Sequence, residues 1–188
     1  MKKLIIAASA LAALTTVNFA QAGNTIEFLG EVTDSTCDVA LEGASNTTVT
    51  LPTISKTLLP TASSAAGRTQ FALAASNCTL GNGKTKVAAF FNASSTSGAD
   101  ANNVDSASGY LNNLATTNPA KNVKLRLIDG TNSSIIKVGY TDQTTSAGYV
   151  TVDANGKARM PYAVEYIATD AVTAGPVRGV VVYDLMYN

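Results

Sequence analysis

Gly175-Pro176-Val177-Arg178-Gly179-Val180-Val181-Val182-Tyr183-Asp184-Leu185-Met186-Tyr187-Asn188 is apolar almost to the last residue of the chain. In an extended strand successive side chains point to opposite faces. Val181, Tyr183, Leu185 and Tyr187 therefore share one face, and Val180, Val182 and Met186 lie mainly on the other. A strand apolar on both faces belongs flanked and covered, not bare at the edge of a sheet. Because the sequence finishes there, its missing neighbour is expected from another part of the chain or from another molecule.

The opposite end of the chain offers a candidate. In Asn24-Thr25-Ile26-Glu27-Phe28-Leu29-Gly30-Glu31-Val32-Thr33-Asp34, the residues Ile26, Phe28, Gly30 and Val32 fall on one face of an extended strand. A terminus of this kind frays unless something ties it down. Gly30 is the odd member. Glycine weakens a strand interior and often marks the close approach of another backbone, so Gly30 is expected to face a point where no side chain fits.

Ahead of this segment the sequence reads as an export leader. Lys2 and Lys3 begin it, Leu4 to Leu14 form an apolar run, and Ala20-Gln21-Ala22 supplies a small-x-small cleavage pattern. The run is shorter than the roughly 20 residues of a membrane span. Cleavage is expected after Ala22, leaving one domain's worth of chain. Export gives Cys37 and Cys78 a simple meaning, because an even pair in an oxidising compartment forms a disulfide. A bridge closing so long a loop is worth roughly 4 kcal/mol on a chain-entropy treatment.

Between the ends, apolar and polar residues alternate in short stretches set off by turn residues. Val123, Leu125 and Leu127 share one face, as do Met160, Tyr162, Val164 and Tyr166. Further strands are expected at Val49 to Leu51, Gln70 to Ala75, Val87 to Phe91, Ile135 to Val138 and Tyr149 to Val152, with tight hairpin turns at Asp129-Gly130 and Asn155-Gly156. Residues 93–107, rich in Ser, Asp, Asn and Gly, read as a surface loop. No sustained helical stripe follows the leader. The expected class is all-β, a sandwich.

Composition narrows the function. The 13 basic and 13 acidic residues balance, and only 14% of the chain is charged. Losing Lys2 and Lys3 with the leader leaves a slightly acidic chain, with no electrostatic reason to bind nucleic acid or an anionic membrane. A surface so sparsely charged is poorly protected against self-association. Histidine is absent, which removes the Ser-His-Asp and Cys-His arrangements and most zinc sites. Glu31, Asp34, Asp38, Glu42, Asp142, Asp153, Glu165 and Asp184 could supply paired carboxylates, but no spacing singles out a glycosidase pair. Asn46, Asn77, Asn92 and Asn132 begin Asn-x-Ser/Thr triplets of the kind that arise by chance in so Asn-, Ser- and Thr-rich a chain. No cofactor or metal is expected.

Taken together, Thr25 to Val32 leading into Cys37, the second cysteine at Cys78, Tyr166-Ile167-Ala168-Thr169, and an ending with Gly175 and the penultimate Tyr187 resemble the type-1-like fimbrial subunits (pilins) of the bacterial chaperone–usher pathway. Residues 82–118 match that pattern least. The resemblance implies an incomplete immunoglobulin-like β-sandwich that lacks its seventh strand and exposes a groove beside the last one. On this reading residues 1–22 are the signal peptide, 23–36 the N-terminal donor-strand extension, and 37–188 the pilin domain. The resemblance assigns Ile26, Phe28, Gly30 and Val32 to the donor strand. It places Gly175, Val181, Tyr183, Leu185 and Tyr187 in the acceptor groove and the chaperone/usher motif. It implies as partners neighbouring copies of the chain, a periplasmic pilus chaperone, an outer-membrane usher, and tip adhesin or adaptor subunits, with passage through the periplasm to a surface fimbrium that supports adhesion. The rival readings are a minor or adaptor pilin, or a secreted carbohydrate-binding adhesin module. The second lacks Trp altogether and has only 6% aromatic residues for stacking on sugars.

Overall fold

The structure is a computed structural model that describes residues 26–43, 47–93 and 100–188. The expected leader at 1–22, Asn24, Asn46 and residues 94–99 of the expected 93–107 loop lie outside those residues. Thr33–Asn188 forms one compact unit, and the residues before it belong to a second.

The compact unit is built from strands β1 (Thr36–Leu41), β2 (Ala65–Thr79), β3 (Lys86–Asn92), β4 (Leu111–Asn112), β5 (Val123–Asp129), β6 (Ile135–Ile136), β7 (Val150–Thr151), β8 (Ala158–Ala168) and β9 (Val182–Tyr187), with one turn of helix, α1 (Gln143–Ser146). One sheet has the order β1-β2-β8-β5-β4, with β6 also on β5, and the other has the order β7-β3-β9. Every pairing is antiparallel.

Alternation explains how the two sheets meet. Leu125 and Leu127 on β5, Met160, Tyr162 and Val164 on β8, and Leu73 and Ala75 on β2 supply one wall of the core. Val87, Ala89 and Phe91 on β3 supply the other. Tyr162 crosses the core edge-on to Phe91, ring centroids 5.0 Å apart, and its hydroxyl accepts the N–H of Ala89 at 3.1 Å. Burial pushes this phenol's pKa up to about 12, with the Ala89 N–H acting the other way and Asp129 adding to the rise.

On the outer face of the first sheet, Glu165 lies buried between two arginines. It accepts from Arg68 Nε at 2.8 Å and from Arg126 Nε at 2.8 Å. Burial raises the carboxyl's pKa, and the two guanidinium groups more than reverse that, holding it below its ordinary value. Arg68 reaches the carboxylate from a register shift between Ala66 and Thr69, where Gly67 has φ +68°.

Four local expectations need correction. Val49 to Leu51 is not a strand, although both side chains pack on the core; the following Pro52 has no N–H to give a ladder. Asp129-Gly130 opens a wider loop between β5 and β6, closed by Asp129 N–H to Ser134 O and Ser133 N–H to Asp129 O. There Ser133, not the glycine, has positive φ, at +63°. Asn155-Gly156 does turn, with Gly156 at φ +67°, but it links β7 and β8, which belong to different sheets. The strand expected over Ile135 to Val138 stops at Ile136, and Val138 is buried within a turn.

Candidate functional site: an unpaired strand edge

Lys86 and Asn188 exchange two backbone bonds, Lys86 N–H to Asn188 O at 2.8 Å and Asn188 N–H to Lys86 O at 3.0 Å. Antiparallel ladders alternate between bonded and non-bonded pairs. Val182, Asp184 and Met186 therefore turn their backbone groups toward β3. Tyr183, Leu185 and Tyr187, paired in register with Phe91, Ala89 and Val87, turn theirs away from it.

The two outer edges of this small sheet are treated differently. On the far side of β3 the chain covers its own edge: β7 pairs Lys86 and Val87, the Tyr162 hydroxyl takes the Ala89 N–H, and at Phe91 a side-chain amide, joined by the Gly139 N–H, takes the place of a strand. Gln143 Oε1 accepts from Phe91 N at 2.9 Å and its Nε2 donates to Phe91 O at 3.0 Å, so one glutamine imitates a strand. β9 has β3 as its one strand partner among the described residues.

Burial shows the same asymmetry. The inward side chains of β3 are sealed, with Val87 0%, Ala89 3% and Phe91 2% exposed. Those of β9 on the same face of the same sheet, Tyr183, Leu185 and Tyr187, are only half-buried, and so is Val181 just ahead of the strand. Burial raises the pKa of both Tyr183 and Tyr187. The same partial cover holds for Cys37, Val39 and Leu41 on β1, the outer strand of the other sheet. For Tyr187 the nearby backbone of Cys37 acts against that rise in pKa, which sets the end of β9 beside β1. The Cys37–Cys78 disulfide fixes β1 to the end of β2, with Cα atoms 4.1 Å apart. The result is an apolar seam between β9 and β1, bordered on the β9 side by outward-pointing N–H and C=O groups.

The approach to β9 is held rigidly. Asn113 Nδ2 donates to Ala120 O and Pro176 O, while its Oδ1 accepts from Ala115 N and Arg178 N. Leu114 N–H adds a bond to Arg178 O at 2.7 Å, and Asn103 Nδ2 one to Val180 O at 3.1 Å. Gly175 is required by contact: a Cβ there would sit 2.4 Å from Ala120 N and 2.5 Å from Asn118 O. Beside it is a cavity of about 390 Å³ lined by Ile54, Leu59, Val123, Tyr166, Val172 and Val177, among others.

Of the predicted site residues, Val181, Tyr183, Leu185 and Tyr187 come together on the seam, and Gly175 stands at the start of the segment leading to it. Ile26, Phe28, Gly30 and Val32 belong to the N-terminal unit, whose described residues, 26–32, carry no assigned strand. In that unit Ile26 is 78%, Phe28 89%, Leu29 87% and Val32 96% exposed, and nothing lies within 4 Å of where a Gly30 Cβ would be. Most of the candidate carboxylates have structural work: Asp38 binds Asn77, Glu42 binds Arg159, Asp153 accepts from two turn N–H groups, and Asp184 binds Asn92. The sequence reading missed Gln143, Asn113 and Asn103, because an amide clamp leaves no periodic signal. No helix among the described residues is long and apolar enough to cross a membrane.

Comparisons with known proteins agree with this geometry. Residues 51–188 match the family described as FimA, type-1 fimbrial protein A. The chain is 40% identical over 170 residues to the major fimbrial subunit SMF-1 of Stenotrophomonas maltophilia (strain K279a), covering 89% of this chain and 94% of the relative. It is 33% identical over 166 residues to the F17 fimbrial protein of Escherichia coli, covering 87% and 86%. Among solved structures the fold is similar to the P pilus rod subunit PapA, with a TM-score of 0.57, 15% identity, and coverage of 81% of this chain and 99% of that one.

Proposed function

Because the chain belongs to the FimA type-1 fimbrial protein family, we propose that it builds its filament by lending residues 23–36 as a strand to the β9 seam of the next copy. The chain is a structural subunit of a chaperone–usher pilus, and its fold is an incomplete immunoglobulin-like sandwich. The proposal concerns how it polymerises and which residues do so.

The observation that carries the reading is the half-buried inward face and unpaired edge of β9 beside the sealed face of β3. Strand addition to such an edge supplies backbone bonds for affinity and side-chain pockets for specificity, and donor-strand complementation of pilins is a known instance. The extension has the complementary properties. It is apolar on one face, its large side chains are exposed, and it departs from a fixed point, where Ser35 is buried and its Oγ accepts the Gly81 N–H at 3.0 Å. Gly175, Val181, Tyr183, Leu185 and Tyr187 form the receiving side, and Ile26, Phe28, Gly30 and Val32 the entering side.

The same reading places a cleaved leader at 1–22, holds that a periplasmic chaperone covers the seam before assembly at an outer-membrane usher, and has tip adhesin or adaptor subunits ending the filament. It assigns the chain no catalytic role. The 40% identity to a major subunit favours the rod over a minor position.

The test is to append a second copy of Asn24 to Thr36 after Asn188 through a flexible linker. The expected result is a soluble monomer with a melting temperature well above that of the unmodified chain. An unchanged melting temperature would overturn the proposal.

A further inference from the structure

The strand-lending reading fixes which way the other face of the extension points. With Ile26, Phe28, Gly30 and Val32 turned into the seam, Glu27, Leu29 and Glu31 face outward. On β9, Tyr183, Leu185 and Tyr187 face the core, so Asp184 faces outward beside them. Resting on that reading, we propose that Glu27 and Glu31 of an incoming extension and Asp184 of the receiving β9 form a repelling row of carboxylates. The row makes strand uptake between copies dependent on ionic strength.

The row does not depend on the direction of insertion. If Ile26–Val32 overlaps 181–187 in full, either orientation sets Leu29 opposite Asp184, with Glu27 and Glu31 on the two diagonals. Diagonal cross-strand neighbours are about 7–8 Å apart. A slip of two residues puts one glutamate directly opposite Asp184, at about 4.5–5.5 Å. Like charges so placed are destabilising.

No cation on β3 offsets this. Asp184 pairs in register with Phe90, and its carboxylate is bonded to Asn92. Lys86 of β3 stands opposite Asn188, roughly 13 Å along the strand. On β1, across the seam, the exposed outward face carries Asp38, bonded to Asn77 Nδ2 at 2.8 Å, which adds to the negative charge.

A single charge on an otherwise apolar open edge also has a protective sense. Native proteins blunt open edges with charges against unwanted pairing, and two β9 edges brought together would set Asp184 against its counterpart. The charge that guards the edge also resists the proper strand until salt or a cation screens it.

The experiment uses the full chain with the appended copy of Asn24 to Thr36, melted in NaCl of about 0.01 M and about 1 M, where the Debye length is about 30 Å and about 3 Å. The melting temperature is expected to rise with salt by roughly 2–4 °C, the scale of a small stability change in a domain of this size. Asp184→Asn preserves an acceptor for Asn92, and Glu27→Gln with Glu31→Gln in the appended copy alone leaves the host domain untouched. Each change is expected to raise the low-salt melting temperature and remove most of the salt response, and the combination should add little. A salt response of undiminished size in these variants, or none in the parent, overturns the charge row while the strand-lending reading stands. An appended copy that stabilises at neither salt concentration overturns both.

Discussion

Gly175 and Tyr162 show two ways in which one side chain, or its absence, sets what the fold tolerates. At Gly175 the neighbours are backbone atoms of Asn118 and Ala120, which cannot rotate aside as a side chain can. Gly175→Ala is expected to cost about 1–3 kcal/mol, the range for overpacking, and to loosen the segment leading into β9. Urea unfolding of the appended form checks the first effect, and faster amide exchange at Arg178 and Leu114, whose N–H groups are bonded there, the second. Tyr162 gives a pH dependence whose sign follows from its environment. The fold favours the neutral phenol, raising its pKa from the ordinary 10.0 to about 12. Stability from this group is therefore complete below pH 10 and lost as the pH rises from 10 toward 12. Tyr162→Phe abolishes that alkaline loss, but it strands the buried Ala89 N–H and costs about 1–3 kcal/mol at neutral pH. Unfolding curves of both proteins at neutral and alkaline pH would separate the two effects.

At the scale of elements, the sequence was legible wherever a strand has one buried face and one wet one. The first half of β5 shows this, with Val123, Leu125 and Leu127 buried at every second position; β8 shows the same alternation in Met160, Tyr162 and Val164, although Ala163 and Glu165 on its other face are buried as well. β9 was legible for the opposite reason, being largely apolar on both faces. The length of β2 was not. Ala65–Thr79 is mostly Ala, Ser, Thr and Asn, residues too small or too polar to mark a face, and its pairing with β8 defines it instead. Nor could periodicity show that Gln143 would close the outer edge of β3, since that role depends on where a loop returns. The seam itself was legible only in outline, because an edge is unpaired by virtue of what is missing beside it. Pairing of the extension with β9 makes its own prediction. Gly30→Leu is expected to leave the stability of the subunit's own domain within about 0.5 kcal/mol of the parent, as for other exposed positions, while abolishing filament formation. Normal filaments of the variant under electron microscopy would show that no close approach occurs at this position.

For the whole molecule, the two halves of the proposed junction are covalently joined yet serve different copies, so stability and polymerisation become one equilibrium. Anything that binds the seam of the folded state stabilises it by mass action, by about 2.7 kcal/mol at a hundredfold excess over Kd. A free peptide of residues 24–36 carries the entering side without the body that follows, so it should cap the seam and end a chain. Added in excess to the unmodified subunit, it is expected to raise the melting temperature and shorten filaments together. Both effects should follow the same concentration dependence, since one binding event causes them. A peptide with Phe28→Ala loses a large apolar side chain, worth about 1.5–3 kcal/mol when buried, and should need a correspondingly higher concentration for both. Sedimentation and thermal melts on the same samples measure the pair. If the peptide stabilised the subunit while filaments grew undiminished, the groove it fills would not be the one through which copies join. The free edge of β9 would then need some other occupant.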